Sequence, residues 1–151
     1  MATITNTISI NAPLERIWEI LTSLPELAEY DPTVRAAQVI SPTKTGPGAT
    51  REVTMRDDKH WFKEKITDFE PGERLTFELT ACNFPIKHLT HTYSFSESDG
   101  KTTVTQVMRY TPKFGLLGKL MDAVMIKSSS DRGVKAFLGG LKGHAEESTD
   151  E

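Results

Sequence analysis

Between Val34 and Thr111 apolar and polar residues alternate in run after run, and each run ends at a turn signal. That period belongs to half-buried strands, whose side chains point alternately to the two faces of a sheet. The runs cover 34–41, 49–56, 60–69, 73–81, 87–97 and 101–111, separated by Pro42 to Gly48, Asp57-Asp58, Pro71-Gly72, Asn83-Phe84-Pro85 and Asp99-Gly100. These separators supply the fixed or left-handed dihedrals of tight turns, so successive runs pair antiparallel. An earlier run, Thr3 to Ile10, alternates as well and brings the expected total to about seven strands. Between it and the next run, Pro13 opens a helical segment containing Ile17, Leu21 and Leu24, which Pro25 and Pro32 divide into two short helices. After Pro112, from near Phe114 to about Glu147, the period returns to helical, with Leu117, Leu120, Val124, Val134, Phe137, Leu138 and Leu141 in one stripe.

A sheet with one apolar face has to bury it, and the final helix is the only element long enough. The expected fold is therefore α+β: a curved antiparallel sheet of about seven strands wrapped around a long C-terminal helix, with two short helices after the first strand. One domain should cover residues 1–145, with 146–151 as a disordered acidic tail. A single helix across a curved sheet rarely fills the concavity, so a cavity roofed by the short helices is expected.

Composition narrows the partners. Eighteen Lys and Arg against 21 Asp and Glu give a net charge of -3, which supplies no positive field for a phosphate backbone, so nucleic acid is excluded as a partner. A single cysteine, Cys82, leaves no internal disulfide and no multi-cysteine metal site. Met1 to Thr7 has neither a basic region nor an apolar run, and the longest apolar stretch, Leu116 to Ile126, is interrupted by Lys119 and Asp122. A cytoplasmic protein without stable membrane insertion, monomeric or homodimeric, is expected.

Strand parity sorts the side chains that face the cavity. Arg51, Val53 and Met55 share a face in one run, and Phe62, Glu64 and Ile66 share one in the next. Leu75, Phe77 and Leu79 follow, then Leu89, His91, Tyr93 and Phe95, then Val104, Gln106, Met108 and Tyr110. Leu120, Met121, Val124 and Met125 of the long helix are expected to close the far wall, methionine being adaptable to irregular ligands. The candidate ligand-binding residues are Val53, Met55, Phe62, Phe77, Leu79, Tyr93, Met108, Tyr110 and those four. Arg51, Glu64 and His91 are candidate catalytic residues: a pocket could tune Glu64 or His91 for proton transfer at a carbonyl, with Arg51 or Tyr93 stabilising an enolate. The structural reading is preferred, because a buried Arg–Glu pair commonly fixes strand register or orients a ligand's polar end.

The segments Ile10-Asn-Ala-Pro-Leu-Glu-Arg-Ile-Trp18, Gly46-Pro-Gly-Ala-Thr-Arg51, Glu64 with Pro71-Gly-Glu-Arg-Leu75, and Tyr110-Thr-Pro-Lys-Phe-Gly-Leu-Leu-Gly-Lys-Leu-Met-Asp122 together resemble the START-like, helix-grip (SRPBCC) superfamily. Within it the chain is similar to the polyketide cyclase/dehydrase and lipid-transport group, from the first strand to Lys142. The resemblance implies a carrier or sensor that holds a polyketide, lipid, sterol or isoprenoid in its cavity without a cofactor. Alternatives it leaves open are a polyketide cyclase/dehydrase working by acid–base chemistry in the same cavity, and a protein-interaction domain of the chaperone-assisting kind. Function must come from the site, since one fold hosts all three.

Other motifs carry less. His88-x-x-His91 has metal-like spacing only on a helix; on a strand the two face opposite sides, so no metal is assigned. Gly115-x-x-Gly118-Lys119 lacks the spacing of a phosphate loop. Ser128-Ser129-Ser130 suits close packing or a cavity wall better than a nucleophile, and Asp57-Asp58-Lys59 is a solvated turn.

Overall fold

The structure is a computed structural model, and it describes residues 2–113 and 127–147. Strand β1 (Ala2–Ile10) leads through Pro13 into helix α1 (Leu14–Thr22). A turn of 3-10 helix (Leu24–Glu26) and a single-turn helix α2 (Leu27–Tyr30) complete the crossover. Six strands follow, β2 (Val34–Val39), β3 (Thr50–Met55), β4 (Trp61–Glu70), β5 (Arg74–Cys82), β6 (Ile86–Ser98) and β7 (Lys101–Pro112). The final described element is helix α3 (Lys127–Glu147). The strands form one antiparallel sheet in the order β1-β7-β6-β5-β4-β3-β2, so the first strand closes onto the last and the six others form a meander. Register shifts between Ile66 and Asp68 and between Lys63 and Glu64 bend the long strands, as bulges do.

Local chemistry sets several boundaries. At Asp99-Gly100 both residues have positive φ, 54° and 76°, the pair of dihedrals that a two-residue turn needs to join β6 to β7. Strand β2 stops at Val39, two residues short of the expected end, because the Ser41 hydroxyl accepts the Thr50 N–H at 2.9 Å in place of a backbone carbonyl. Pro13 sits one position before the first helical residue of α1, and the exposed Leu14 amide donates instead to the Glu97 carboxylate of β6 at 2.8 Å. Glu146 and Glu147 belong to α3 rather than to a tail: the Glu146 carboxylate accepts from the Asn11 N–H at 2.8 Å and from Lys142 Nζ at 2.6 Å, which pins the last turn to the end of β1. Residues 148–151 lie outside the described residues, as does the start of the helix near Phe114.

The sheet's inner face and the helices share one core. Ile10, Ile17, Leu21, Leu24, Ile66, Leu75, Val104 and Leu141 are all enclosed. Trp18 of α1 meets Phe69 and Phe95 edge-on at 5.2 and 5.8 Å, a preferred geometry that docks the helix on β4 and β6. Helix α3 buries Val134, Phe137, Leu138, Leu141 and Ala145, a stripe at helical spacing. Phe137 lies against Tyr93 of β6 at 5.7 Å, so α3 covers the concave face. Lys142 Nζ bonds the Ser9 carbonyl at 3.0 Å and Asn6 bonds Asp131 at 3.0 Å, fastening α3 along β1. Gly140 allows the helix to approach the end of α2: a Cβ there would stand 1.9 Å from the Tyr30 carbonyl oxygen.

Candidate functional site

A cavity of about 160 Å³ lies between the inner face of the sheet, the α2–β2 junction and α3. Strand period places its floor: Arg51 and Met55 from β3, Phe62 and Glu64 from β4, His91 and Tyr93 from β6, Gln106 and Met108 from β7. Leu27, Asp31, Thr33 and Val34 border it at the junction, and Ser130, Gly133, Val134 and Phe137 face it from α3.

Arg51 and Glu64 stand directly opposite each other on β3 and β4. Arg51 Nε and Nη2 both donate to Glu64 Oε1 at 2.7 Å, and both side chains are buried. Nη1 donates to the Leu24 carbonyl at 3.2 Å, and the guanidinium rests on the Phe77 ring with Cζ 4.7 Å from its centroid. Burial opposes the Arg51 charge more than any one neighbour supports it, but Glu64, with Tyr30 and Tyr93, together outweighs it and the pKa lies above the ordinary arginine value. The pair is thus a fixed, mutually neutralised dipole under the cavity.

His91 is diagonal to Gln106, which pairs across with Tyr93. Gln106 Nε2 lies 2.5 Å from His91 Nδ1. The Gln106 amide and the His91 ring are hydrogen-bonded there, the ring nitrogen donating or accepting according to its tautomer. Burial pushes the His91 pKa below its ordinary 6.5, with Glu64 opposing and Arg51 adding to the shift. Burial likewise pushes the Tyr93 phenol upward, keeping it a neutral hydroxyl. Asp31 closes an Asx turn, its Oδ1 accepting from the Thr33 N–H at 2.9 Å and hydroxyl at 2.7 Å. Burial raises its pKa against those bonds.

The sign of the His91 shift makes a testable statement. A histidine held neutral binds fewer protons folded than unfolded, so its contribution to stability is lost as pH falls below about 6.5. Urea unfolding of wild type and His91→Gln between pH 5 and 8 should show a steeper loss toward acid in wild type. Asp31 contributes alike to both proteins, so parallel profiles would contradict the shift.

Of the expected site residues, Arg51, Met55, Phe62, Glu64, His91, Tyr93 and Met108 meet at the cavity. Four others do not border it. Val53, shorter than its neighbours Arg51 and Met55 and opposite Phe62, is wholly enclosed. Phe77 lies beneath Arg51, Leu79 is half-buried opposite Glu64, and Tyr110 is enclosed between Ala2 and Leu89. Parity gave them the correct face; their position along the strand takes them away from the void. Leu120, Met121, Val124 and Met125 lie outside the described residues. Asp31 and Thr33 were missed because they sit on irregular backbone with no period to read, although Asp31-Pro32-Thr33 is a turn-forming sequence. His88 is exposed on the outer face, and Ser130 is the one serine of its run at the cavity. Among the described residues no three His, Cys, Asp or Glu side chains gather as metal ligands, and no helix is long and apolar enough to cross a membrane.

This arrangement, a strand-floored cavity gripped by a C-terminal helix, is that of the START-like helix-grip proteins. The chain belongs to the polyketide cyclase/dehydrase and lipid transport family, whose sequence profile matches residues 1–146. Its fold is similar to that of the ZhuI aromatase/cyclase from Streptomyces sp. R1128, with a TM-score of 0.83 at 14% identity over 96% of this chain and 93% of that one. A START superfamily protein from Mycobacterium smegmatis superposes with a TM-score of 0.77 at 13% identity, covering 96% and 97%. The major latex-like protein of Panax ginseng does so at 0.78 and 11%, covering 95% and 97%. Among curated proteins no sequence matches significantly.

Proposed function

We propose that this chain is a cytoplasmic binding protein that holds a hydrophobic small molecule in the cavity, as carrier or sensor. The observation that carries this reading is the wall chemistry: most of the surface open to the void is apolar, with Met55, Phe62, Met108, Val134 and Phe137 on the wall, and Arg51, Glu64 and Asp31 are held in place by their own hydrogen bonds. A cavity of this order accommodates an aromatic ring. Arg51 and Glu64 satisfy each other and a backbone carbonyl, which suits orienting a ligand better than giving up a proton.

The second reading is a polyketide cyclase/dehydrase. It is favoured by the neutral His91 beside the Tyr93 hydroxyl at the same wall, and by the fold shared with an aromatase/cyclase. Turnover of a poly-β-ketone that falls on His91→Gln, with binding intact, would establish it.

The neutral dye prodan tests the first reading. Its emission should shift to the blue with one-to-one stoichiometry, and flat aromatic compounds should displace it. No binding at tens of micromolar dye would refute the carrier role.

A further inference from the structure

Two carboxylates border the cavity, and each uses only one of its oxygens to bond the protein. Glu64 Oε1 takes both Arg51 contacts at 2.7 Å, and Asp31 Oδ1 takes the Thr33 N–H at 2.9 Å and the Thr33 hydroxyl at 2.7 Å. Among the described residues no donor bonds to Glu64 Oε2 or Asp31 Oδ2, and neither oxygen is sealed in the packing. The residues themselves are only 5% and 7% exposed, so the surface these two oxygens keep is turned to the void they line. A carboxylate oxygen in such a place calls for a donor, because bulk water is not there to supply one.

Charge at the same wall decides which donor fits. Asp31 and Glu64 bring two negative charges against the single positive charge of Arg51, and His91 is held neutral by burial, so the described lining carries an excess negative charge. Burial raises the Asp31 pKa against the Thr33 bonds and Arg51, and Glu64 adds to the rise, as expected of a carboxylate short of positive charge. A ligand hydroxyl would supply a donor and no charge. An ammonium supplies both, whereas a ligand carboxylate supplies neither and adds like charge to a desolvated site.

We propose that the cavity takes hydrophobic amines, whose ammonium group donates to the open oxygen of Asp31 while the Glu64 carboxylate adds its charge, and that it selects them over alcohols and carboxylates of the same shape. This rests on the cavity being the ligand site. The ring or chain behind the ammonium lies against Met108 and Phe137.

Displacement of prodan at pH 7 by 2-naphthylmethylamine, 2-naphthylmethanol and 2-naphthoate tests the proposal. The three share a ring system and carry a cation, a neutral donor and an anion. In wild type the amine should displace the dye at concentrations about tenfold lower than the alcohol, since a charge-assisted hydrogen bond exceeds a neutral one, and the naphthoate should bind most weakly. In Asp31→Asn, which keeps an oxygen for the Thr33 turn and loses the charge, the amine and the alcohol should come within about twofold of each other, with a melting curve run alongside to show a folded protein. The wild-type series decides the ligand class even if that variant does not fold. An alcohol that binds as tightly as the amine, or tightest binding of the naphthoate, overturns the amine site and leaves the cavity reading standing. An undiminished amine preference in folded Asp31→Asn overturns Asp31 as the anchor. Failure of the dye and all three compounds to bind overturns both the amine site and the cavity reading.

Discussion

Glu64→Gln should lower folding stability by about 3 to 5 kcal/mol, the usual result of stripping a buried cation of its partner. Arg51 and Glu64 are each 5% exposed, and their polar atoms bond to each other across β3 and β4, so little water can replace the lost carboxylate. Replacing both residues at once by apolar side chains, Arg51→Met with Glu64→Leu, should recover most of that loss, since a well-packed apolar pair removes both desolvation costs. If Glu64 served chemistry alone, Glu64→Gln would spare the fold and slow turnover by roughly a hundredfold. Urea unfolding of the single and double variants separates the two. Unchanged stability in the single variant would show that the pair does not hold the sheet.

The second large effect is expected at Gly140. A methyl group there would fall 1.9 Å from the Tyr30 carbonyl oxygen and 3.0 Å from its carbon, and backbone cannot turn aside as a side chain can. Helix propensity favours Ala over Gly by about 1 kcal/mol, and overpacking costs typically about 1 to 3 kcal/mol. With backbone as the obstacle, the clash should prevail by about 2 kcal/mol or more. Gly139, with nothing within 4 Å of its added Cβ, is the control. Gly139→Ala should gain about 0.5 to 1 kcal/mol by propensity alone. Gly140→Ala should also weaken dye binding, because the same contact seats Tyr30 between Phe137 and His144, next to Asp31 at the cavity. Equal stability changes for the two alanines would contradict the close approach.

Period 2 explains why so much of the site could be read before the structure. Arg51 and Met55, Phe62 and Glu64, His91 and Tyr93 are separated by multiples of two or fall on adjacent strands of one meander, so each inner face followed from alternation alone. Alternation assigns a face but not a depth, which is why Val53 and Tyr110 share the face without reaching the void. It is also silent where backbone is irregular: Asp31 and Thr33 enter through an Asx turn after a single-turn helix. Gln106 stood on the inner face by parity, yet its significance depends on the register that sets it opposite Tyr93 and diagonal to His91. Cross-strand register is a long-range property, and no local pattern in β7 specifies it.

The central claim, that this cavity is where a hydrophobic ligand sits, is tested most directly by titrating prodan into wild type beside Met55→Trp. Met55 is half-buried on the cavity wall, so the larger ring should fill the space while keeping an apolar side chain there. The account predicts one-to-one binding in wild type and at least a tenfold weaker affinity in the variant, with melting temperature little changed. Equal affinity in the two proteins would place the dye elsewhere and contradict the account.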